Sequence, residues 1–282
     1  MPSVSEKLDE TAAILRDSDV VDPRREAASL LAIALKRNRT FLVAHPEYLL
    51  NPDEESIVDR LIQRRASHEP FQYISGIQEF YGLEFEVTPD VLIPRPETEM
   101  VVEHAIRLLD EFGAPSICEV GIGSGCIAIS ILHQKQDAIA VGLDISPAAL
   151  AVARRNAQKH GVDSRLTLLE SDIFGGLETG RFCMIVSNPP YVPRTDLDGL
   201  QAEVRDFEPR LALTDGSDGL SIIRRIIGEA PRVLMPGGHL LMEIGFNQSQ
   251  QVADMFEKKL WRSPILYPDL QGIPRLVLSQ LI

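Results

Sequence analysis

The sequence has few cysteines, and none of them falls in a metal-binding pattern. Cys118, Cys126 and Cys183 are scattered through apolar stretches without the spacing that metal ligands require. Packed free thiols in a reducing compartment are therefore expected, and no metal site is predicted. The 282 residues also contain no internal repeat and no low-complexity tract. This length is enough for one large α/β domain with a smaller companion.

Positive charge and long apolar runs are lacking as well. The chain carries 41 acidic and 28 basic residues, which gives a formal net charge of -13. Phosphate contacts need clustered Lys and Arg, so direct binding of nucleic acid is not expected. No apolar run reaches membrane-spanning length, and the acidic first ten residues do not resemble a signal peptide. The expectation is a cytoplasmic protein without membrane association.

Residues 1–75 have the pattern of a small helical bundle. Ser3 and Glu6 show capping-box spacing at the start of one helix. Asp22-Pro23 and Asn51-Pro52 each place a capping residue before a proline, which predicts two further helix starts. Residues 1–75 are therefore expected to form a separate N-terminal domain.

Three arginines, Arg60, Arg64 and Arg65, surround the apolar positions of the third predicted helix. They are expected to lie on a solvated helix face. A small helical bundle can also serve as a recognition module, and the sequence does not decide between these two interpretations.

Between residues 71 and 96 the pattern changes to aromatic residues and period-two alternation. This pattern favours a β-hairpin, and residues 76–96 are interpreted as a linker between two domains. Pro94 and Pro96 stiffen the end of this stretch on either side of Arg95. Thr98 or a neighbouring acid can then begin the next helix.

From residue 97 to the last residue, 282, strands and helices alternate, which is typical of a doubly wound, Rossmann-like α/β sheet. Strands are expected at residues 116–120, 138–143, 166–169, 239–244, 265–267 and 276–281. A further buried strand runs from Arg181 to Val186. Pro236-Gly237-Gly238 is interpreted as a turn, and the last two strands are expected to be joined by a short loop containing Gly272. Helices are expected at residues 127–132, 147–161, 219–230 and 252–260. This region is expected to be the catalytic domain.

The polar segment Ser187-Asn188-Pro189-Pro190-Tyr191 follows the strand that ends at Val186. Two prolines stop the strand and keep the chain extended, so Asn188 is expected at the carboxyl end of a sheet strand. Ligands of open α/β sheets bind at that edge. The segment therefore predicts a fixed pocket that handles an amide or amine group, although a strand end followed by a proline loop is the alternative.

A glycine-rich loop follows the strand at residues 116–120. Glycines at this spacing permit a sharp turn and close approach of a ligand to the backbone. Neither a Walker A ending nor a complete dinucleotide fingerprint is present, because Cys126 stands where a final glycine belongs. A carboxylate at Glu119 would repel a pyrophosphate, so S-adenosylmethionine is predicted instead. The predicted contacts are Glu119, Gly121, Ile122, Gly123, Ser124 and Gly125.

Acidic residues at the ends of the next two strands complete this predicted cofactor site. Asp144 is placed to accept hydrogen bonds from both ribose hydroxyls, with Ile145 beside it. Asp172 and Ile173 are placed to bind the adenine amino group and to cover the ring. Asp144 lies just before Ser146-Pro147, so a role at the start of a helix is the competing interpretation.

Taken together, the motifs resemble methyltransferases that alkylate a planar NH2 group. Longer strings, including Phe80-Tyr81-Gly82, residues 91–99, residues 207–213, Asp218-Gly219-Leu220 and Glu243-Ile244-Gly245, resemble bacterial peptide chain release factor glutamine methyltransferases over nearly the whole chain. The resemblance implies a seven-stranded methyltransferase domain with an antiparallel last strand, a hairpin linker and an N-terminal helical domain that helps to dock the substrate. It also implies methylation of the Gln in the Gly-Gly-Gln loop of class I release factors, with S-adenosylhomocysteine as product.

In this interpretation Asn188, Pro189, Pro190 and Tyr191 form the catalytic segment, and Asn188 is also expected to contact the cofactor. The Asn188 side-chain oxygen and the Pro189 carbonyl each accept one N–H of the substrate amide, and Tyr191 packs on the amide plane. The alternatives are a DNA adenine-N6 methyltransferase and an inactive cofactor-binding adaptor of translation factors. A monomer is expected, but the sequence itself leaves the oligomeric state open.

Overall fold

A computed structural model describes residues 1–177 and 182–282. Contacts divide the chain into two compact units. The first consists of Met1–Gly76 together with Gln201–Phe207, and the second of Ile77–Leu200 together with Glu208–Ile282. Within the described residues, no helix is both long and apolar enough to cross a membrane.

The first 76 residues are helical. The helices are α1 Val4–Asp17, α2 Pro23–Ala34, α3 Arg39–Ala44, α4 Pro52–Ala66 and α5 Phe71–Ser75. The capping boxes of Ser3 and Asn51 are present, and their acidic partners lie three residues later. Residues 71–75, expected in the β-rich stretch, form the short helix α5 instead. Pro70 at its N-cap and Gly76, with φ 77°, bound this single turn.

The arginines of α4 do not share one solvated face. Arg60 is exposed and Arg64 is half-buried. Arg65 is only 3% exposed, and its guanidinium pairs with Glu26 and Glu203 inside the first unit. The expectation of a solvated face is therefore wrong for Arg65, because two carboxylates compensate its buried charge.

The remaining helices and strands alternate along the chain as expected. They are β1 Ile77–Phe80, β2 Leu83–Glu86, α6 Glu99–Leu109, β3 Ser116–Val120, α7 Cys126–Gln134, β4 Ile139–Asp144, α8 Pro147–Lys159, β5 Leu166–Glu170, β6 Phe182–Ser187, α9 Ala202–Phe207, α10 Arg210–Leu213, α11 Ser221–Glu229, β7 Leu234–Glu243, α12 Ser249–Ala253, β8 Ile265–Pro268 and β9 Pro274–Gln280. Arg181, the first residue of the run expected to form β6, lies outside the described residues.

The described strands form an antiparallel hairpin, β1–β2, and a seven-stranded sheet of order β5-β4-β3-β6-β7-β9-β8. The neighbours from β5 to β7 are parallel, whereas β9 is antiparallel to both β7 and β8. This confirms the Rossmann-like α/β fold. The strand order reverses between β3 and β6, and such a reversal opens a crevice at the carboxyl ends of the strands.

Both faces of the sheet are covered by apolar residues. Ile117 and Met184 belong to one buried cluster, and their neighbours Cys118 and Ile185 belong to the other. Successive strand residues point to opposite faces, so this split shows a sheet buried on both sides. The cysteines at 118, 126 and 183 are buried free thiols, as expected.

Two sequence expectations about the C-terminal half are wrong. Pro236-Gly237-Gly238 is not a turn before a strand but lies inside β7, where the register with β6 shifts between Phe182 and Met184. The helix expected around Val252 to Leu260 is confined to α12. In addition, the sequence pattern did not predict the short helices α9 and α10.

Candidate active site

A cavity of about 310 Å³ lies at the carboxyl ends of β3, β4, β5 and β6. Small-molecule sites in proteins span roughly 300–1,000 Å³, so its size suits one nucleoside-sized ligand. Four strands thus bring the predicted ligand-binding segments to one place. From the first segment, the cavity wall contains Glu119, Gly121, Ile122, Gly123 and Ser124.

The glycine loop is fixed to the end of β4. Gly121, Gly123 and Gly125 have φ angles of 71°, 54° and 83°, a left-handed backbone that other residues rarely adopt. The backbone N–H groups of Gly121 and Ile122 donate to the Leu143 carbonyl at 2.8 and 2.9 Å. These bonds fix the start of the loop to β4.

Glu119 is a buried carboxylate at the end of β3. It is 1% exposed, and its Oε2 accepts a hydrogen bond from the Ala128 backbone N–H of α7 at 2.8 Å. Burial raises the pKa of Glu119 well above its usual value; the Ala128 bond opposes this rise, and nearby Asp144 adds to it. A cationic ligand group would stabilise the ionised form. Glu119 is therefore a group to which a cationic part of a ligand could bind.

Asp144, at the end of β4, orders the loop as well as facing the cavity. One of its carboxylate oxygens accepts from the Gly123 N–H and the other from the Ser146 N–H, both at 2.9 Å. Ser146, not Asp144, caps α8, since its Oγ accepts from the Ala149 N–H. Burial raises the pKa of Asp144, and the two backbone donors oppose that shift. Each carboxylate oxygen keeps a lone pair for a ribose hydroxyl.

The end of β5 contributes an aliphatic cover and an acid. Ile173 is 5% exposed and adopts φ 54°, an outlier for a β-branched residue. Ile145 also lines the cavity and is 56% exposed. Asp172 lines the cavity too, but both of its carboxylate oxygens accept from Arg225 at 3.0 Å. An adenine amino group would therefore share this acceptor with a guanidinium.

Asn188 reaches the cavity from the end of β6. Its side-chain Nδ2 donates to Thr98 Oγ1 at 3.1 Å, and the Thr98 hydroxyl donates to Glu243 Oε2 at 2.6 Å. The Tyr191 hydroxyl donates to the other oxygen of Glu243 at 2.9 Å. Thr98 and Glu243 are 2% and 3% exposed. These residues form one hydrogen-bonded chain, named here the carboxylate network: Asn188, Thr98, Glu243 and Tyr191.

Three predicted site residues are not part of the cavity wall in the described structure. Gly125 occupies the N-cap of α7 and faces Ile129. Pro189 is buried beside Asn188, whereas Pro190 does line the cavity. The Tyr191 hydroxyl is occupied by Glu243, and burial next to that carboxylate raises the pKa of Tyr191.

Sequence reasoning assigned no role to Glu243 or Gln248. Glu243 ends β7, so the rule that found Asp144 and Asn188 at strand ends could have found it. Gln248 donates from Nε2 to the Tyr191 carbonyl at 2.8 Å and accepts at Oε1 from the Gly245 N–H at 2.9 Å. No local pattern marks that contact.

Arg95 and Glu208, to which sequence reasoning assigned no role, form an ion pair. Glu208 has a buried side chain that accepts from the Arg95 guanidinium and from the Ile93 N–H, the latter at 3.2 Å. Arg95 lines the cavity. This pair ties the stiff segment before α6 to the segment that leads into α10.

The fold and the site define a methyltransferase. A family model described as "Methyltransferase small domain" matches residues 101–203, and one described as "PrmC N-terminal domain" matches residues 6–76. A methyltransferase structure from Pyrococcus furiosus aligns with a TM-score of 0.51 at 19% identity, covering 72% of this chain and 90% of that one. The Thermus thermophilus 16S rRNA N2 G1207 methyltransferase, in complex with AdoMet and guanosine, gives 0.52 at 17% identity, covering 72% and 49%. At these identities the two structures show the fold alone.

Sequence relatives give the particular family. The release factor glutamine methyltransferase of Geobacter sulfurreducens is 44% identical over 275 residues, 98% of this chain and 95% of that one. That of Moorella thermoacetica is 42% identical over 278 residues, 98% of both chains. The chain therefore belongs to the release factor glutamine methyltransferase family.

Proposed function

We propose that this protein transfers a methyl group from S-adenosylmethionine to the side-chain amide nitrogen (N5) of the Gln in the Gly-Gly-Gln motif of class I peptide chain release factors. One observation carries the proposal: Asn188 shares a single cavity with the glycine loop, Glu119 and Asp144. A donor nucleoside and an amide-binding group can therefore meet there. The choice of substrate follows the family to which the chain belongs.

S-adenosylmethionine, when bound, supplies an electrophilic methyl group on a sulfonium centre. The residues present fit such a ligand. Glu119 and Asp144 place two carboxyl groups in the cavity wall, and Ile145 and Ile173 provide aliphatic surface for a purine. The Asp144 carboxylate would accept hydrogen bonds from the ribose hydroxyls, and Asp172 would bind the adenine amino group.

Asn188 binds and orients the substrate amide. An amide nitrogen is a weak nucleophile because its lone pair is delocalised into the carbonyl. An acceptor that takes one of its N–H groups directs the nitrogen and increases its electron density. The Pro189 backbone carbonyl is the second predicted acceptor. Tyr191, fixed through its hydroxyl, holds the segment rather than supplying a base, because burial beside Glu243 keeps the phenol protonated.

A further part of the proposal concerns the helical residues 1–75. We propose that they help to dock the release factor, that residues 76–96 link them to the catalytic residues 97–282, and that the protein acts as a monomer. The cytoplasm, where translation takes place, is the proposed location.

A methyl-transfer assay with labelled S-adenosylmethionine tests the function. It should offer a class I release factor, a release factor whose Gly-Gly-Gln glutamine is changed to Asn, and double-stranded DNA in parallel. Label on the intact release factor alone, located by mass spectrometry on that Gln, is the expected result. Label on DNA would favour an adenine methyltransferase, and label on none would favour an inactive adaptor; neither alternative is favoured by the family or by the net charge of -13.

A further inference from the structure

The carboxylate network joins three elements beside the cavity, whose wall includes Thr98 and Asn188. Thr98 immediately precedes α6, Asn188 follows β6, and Glu243 is the last residue of β7. Two of the four members, Thr98 and Glu243, are almost completely buried. A buried carboxylate is costly unless its oxygens are hydrogen-bonded, and here each accepts from one hydroxyl.

The direction of each hydrogen bond follows from the chemistry of Glu243. Both of its oxygens accept from hydroxyls, one from Thr98 and the other from Tyr191. Burial raises the pKa of Glu243, whereas these two hydrogen bonds favour the ionised form, and an ionised carboxylate can only accept. A hydroxyl has one proton, and Thr98 has used its proton on Glu243. Toward Asn188 it can only accept. Asn188 must therefore turn its NH2 group toward Thr98, which leaves its carbonyl oxygen for the cavity.

We infer that Glu243 and Thr98 are positioning residues that determine which end of the Asn188 amide meets the substrate. The inference rests on the proposed function. A carbonyl oxygen facing the cavity accepts an N–H of the substrate amide, whereas an NH2 group there would face another NH2 group and orient nothing. Glu243 is not part of the cavity wall; it acts on Asn188 through Thr98 and also holds the Tyr191 hydroxyl.

The network also explains why a carboxylate, and not a carboxamide, ends β7. A Gln at this position can donate its own NH2 to the Thr98 oxygen. The Thr98 proton is then free to donate to Asn188, and both orientations of the Asn188 amide become possible. Glu243→Gln preserves the shape of the side chain but no longer fixes which end of the Asn188 amide faces the cavity. The variant therefore distinguishes an effect of packing from an effect of Asn188 orientation.

The test compares four variants of the full-length protein. Thr98→Val removes the hydroxyl at constant shape, Thr98→Ser retains it, and Glu243→Gln removes the directionality. Thr167→Val is the control: it makes the same Thr-to-Val substitution at an exposed position of β5, outside the network. We expect kcat to fall about 100-fold in Thr98→Val and about 10-fold or more in Glu243→Gln, since misorientation of a substrate-binding group has effects of that order.

Binding measurements distinguish a loss of Asn188 orientation from general damage to the protein. The dissociation constant of S-adenosylhomocysteine and the KM of the release factor should stay within about twofold of wild type, because lost orientation lowers kcat alone. Thr98→Ser should restore most of the turnover lost in Thr98→Val. Thr167→Val should match wild type.

A second readout does not depend on turnover. The side-chain NH2 signal of Asn188, identified in a nitrogen-15 NMR spectrum by its loss in Asn188→Asp, should exchange slowly with solvent in wild type. In Thr98→Val and Glu243→Gln it should shift and exchange faster. This measurement on wild type remains decisive if a variant fails to fold.

Wild-type kcat in Thr98→Val, equal damage in Thr98→Ser, or an unprotected Asn188 NH2 group in wild type would overturn the inference. A loss of kcat that merely follows a loss of S-adenosylhomocysteine binding would do the same. Failure of the wild type to methylate release factor would instead refute the proposed function, and the NMR comparison would still decide on the network.

Discussion

The α-carbon of Gly219 lies directly against the backbone carbonyl of Tyr191. A Cβ at Gly219 would be 2.1 Å from that oxygen, and Gly219 has φ 76°. Both the contact and the backbone conformation exclude a side chain. We expect Gly219→Ala to lower the free energy of unfolding by about 2 kcal/mol or more and to lower kcat, because the carbonyl belongs to the substrate-binding segment.

Gly228 in α11 is the matched control for that substitution. Apart from its chain neighbours and the nearby backbone of α11, a Cβ there would meet no atom of the described residues within 4 Å, so Gly228→Ala should raise the free energy of unfolding by about 0.5–1 kcal/mol. Chemical denaturation of both variants measures the difference. Equal effects at the two positions would contradict the assignment of Gly219 as a close-contact glycine.

Asn188→Ala should abolish most methyl transfer but leave nucleoside binding intact. The substitution removes the acceptor for the substrate amide, and loss of one such group costs on the order of 10²–10³ in kcat. Single-turnover kinetics and calorimetric titration with S-adenosylhomocysteine measure the two quantities separately. Turnover of release factor at the wild-type rate would exclude Asn188 from the proposed role.

Asp144→Asn should weaken nucleoside binding. The carboxamide keeps one oxygen, so either the Gly123 N–H or the Ser146 N–H loses its acceptor, and the ribose loses a charged one. Hydrogen bonds to charged groups contribute about 1.5–3 kcal/mol, so the dissociation constant of S-adenosylhomocysteine should rise at least about 10-fold. Asp137→Asn, at an exposed position, is the control. An unchanged constant in Asp144→Asn would argue for a purely structural Asp144.

Glu119 should make the stability of the protein dependent on pH. Its pKa is raised in the folded state, chiefly by burial, so the folded state binds more protons than the unfolded state between the two pKa values. The free energy of unfolding therefore falls as pH rises from the unfolded value of about 4.5 through the folded value.

Glu119→Gln should flatten that dependence. The Gln oxygen can still accept from the Ala128 N–H, and no charge has to be buried. We expect a higher melting temperature than wild type at neutral and alkaline pH in the absence of nucleoside, together with weaker binding of S-adenosylhomocysteine. Thermal unfolding across pH measures the first effect, and parallel pH curves for the two proteins would contradict it.

Arg65 and Arg60 lie on the same helix and should respond differently to substitution. Arg65→Ala leaves Glu26 and Glu203 without their buried cation, which should destabilise the first unit by about 2 kcal/mol. Arg60→Ala, at an exposed position, should change stability by less than about 0.5 kcal/mol. Hydrogen exchange of the α2 and α4 amides in the full-length protein measures both, and similar exchange in the two variants would contradict the prediction.

The parts of the fold that sequence predicted are those with strong local signals. β3, with its apolar run followed by glycines, begins and ends at the expected residues, and the Ser3 and Asn51 caps locate α1 and α4. α5 was missed because its aromatic residues favour strands, whereas Pro70 and Gly76 bound a single helical turn. The prediction of a turn at Pro236-Gly237-Gly238 was wrong because the pairing of β7 with β6 continues across an irregularity in the register.

In the candidate site, too, the sequence predicted the residues that have a local signal and missed those that depend on distant contacts. Asn188 and Asp144 were found because each follows an apolar strand, a pattern that is visible locally. The partner of Asn188 was not found, because Thr98 lies 90 residues earlier in the chain and a capping role explained it equally well. Likewise, the engagement of Asp172 by Arg225 depends on how a helix packs beside the sheet, which no spacing rule describes.

The division of the chain into two units constrains how hybrids between this protein and a relative can be built. The first unit is not one continuous segment, because it consists of Met1–Gly76 and Gln201–Phe207. The second segment contains Glu203, which accepts a hydrogen bond from Arg65. A hybrid that takes only its first 76 residues from this protein would contain Arg65 without Glu203. Chimeras should therefore graft both segments together.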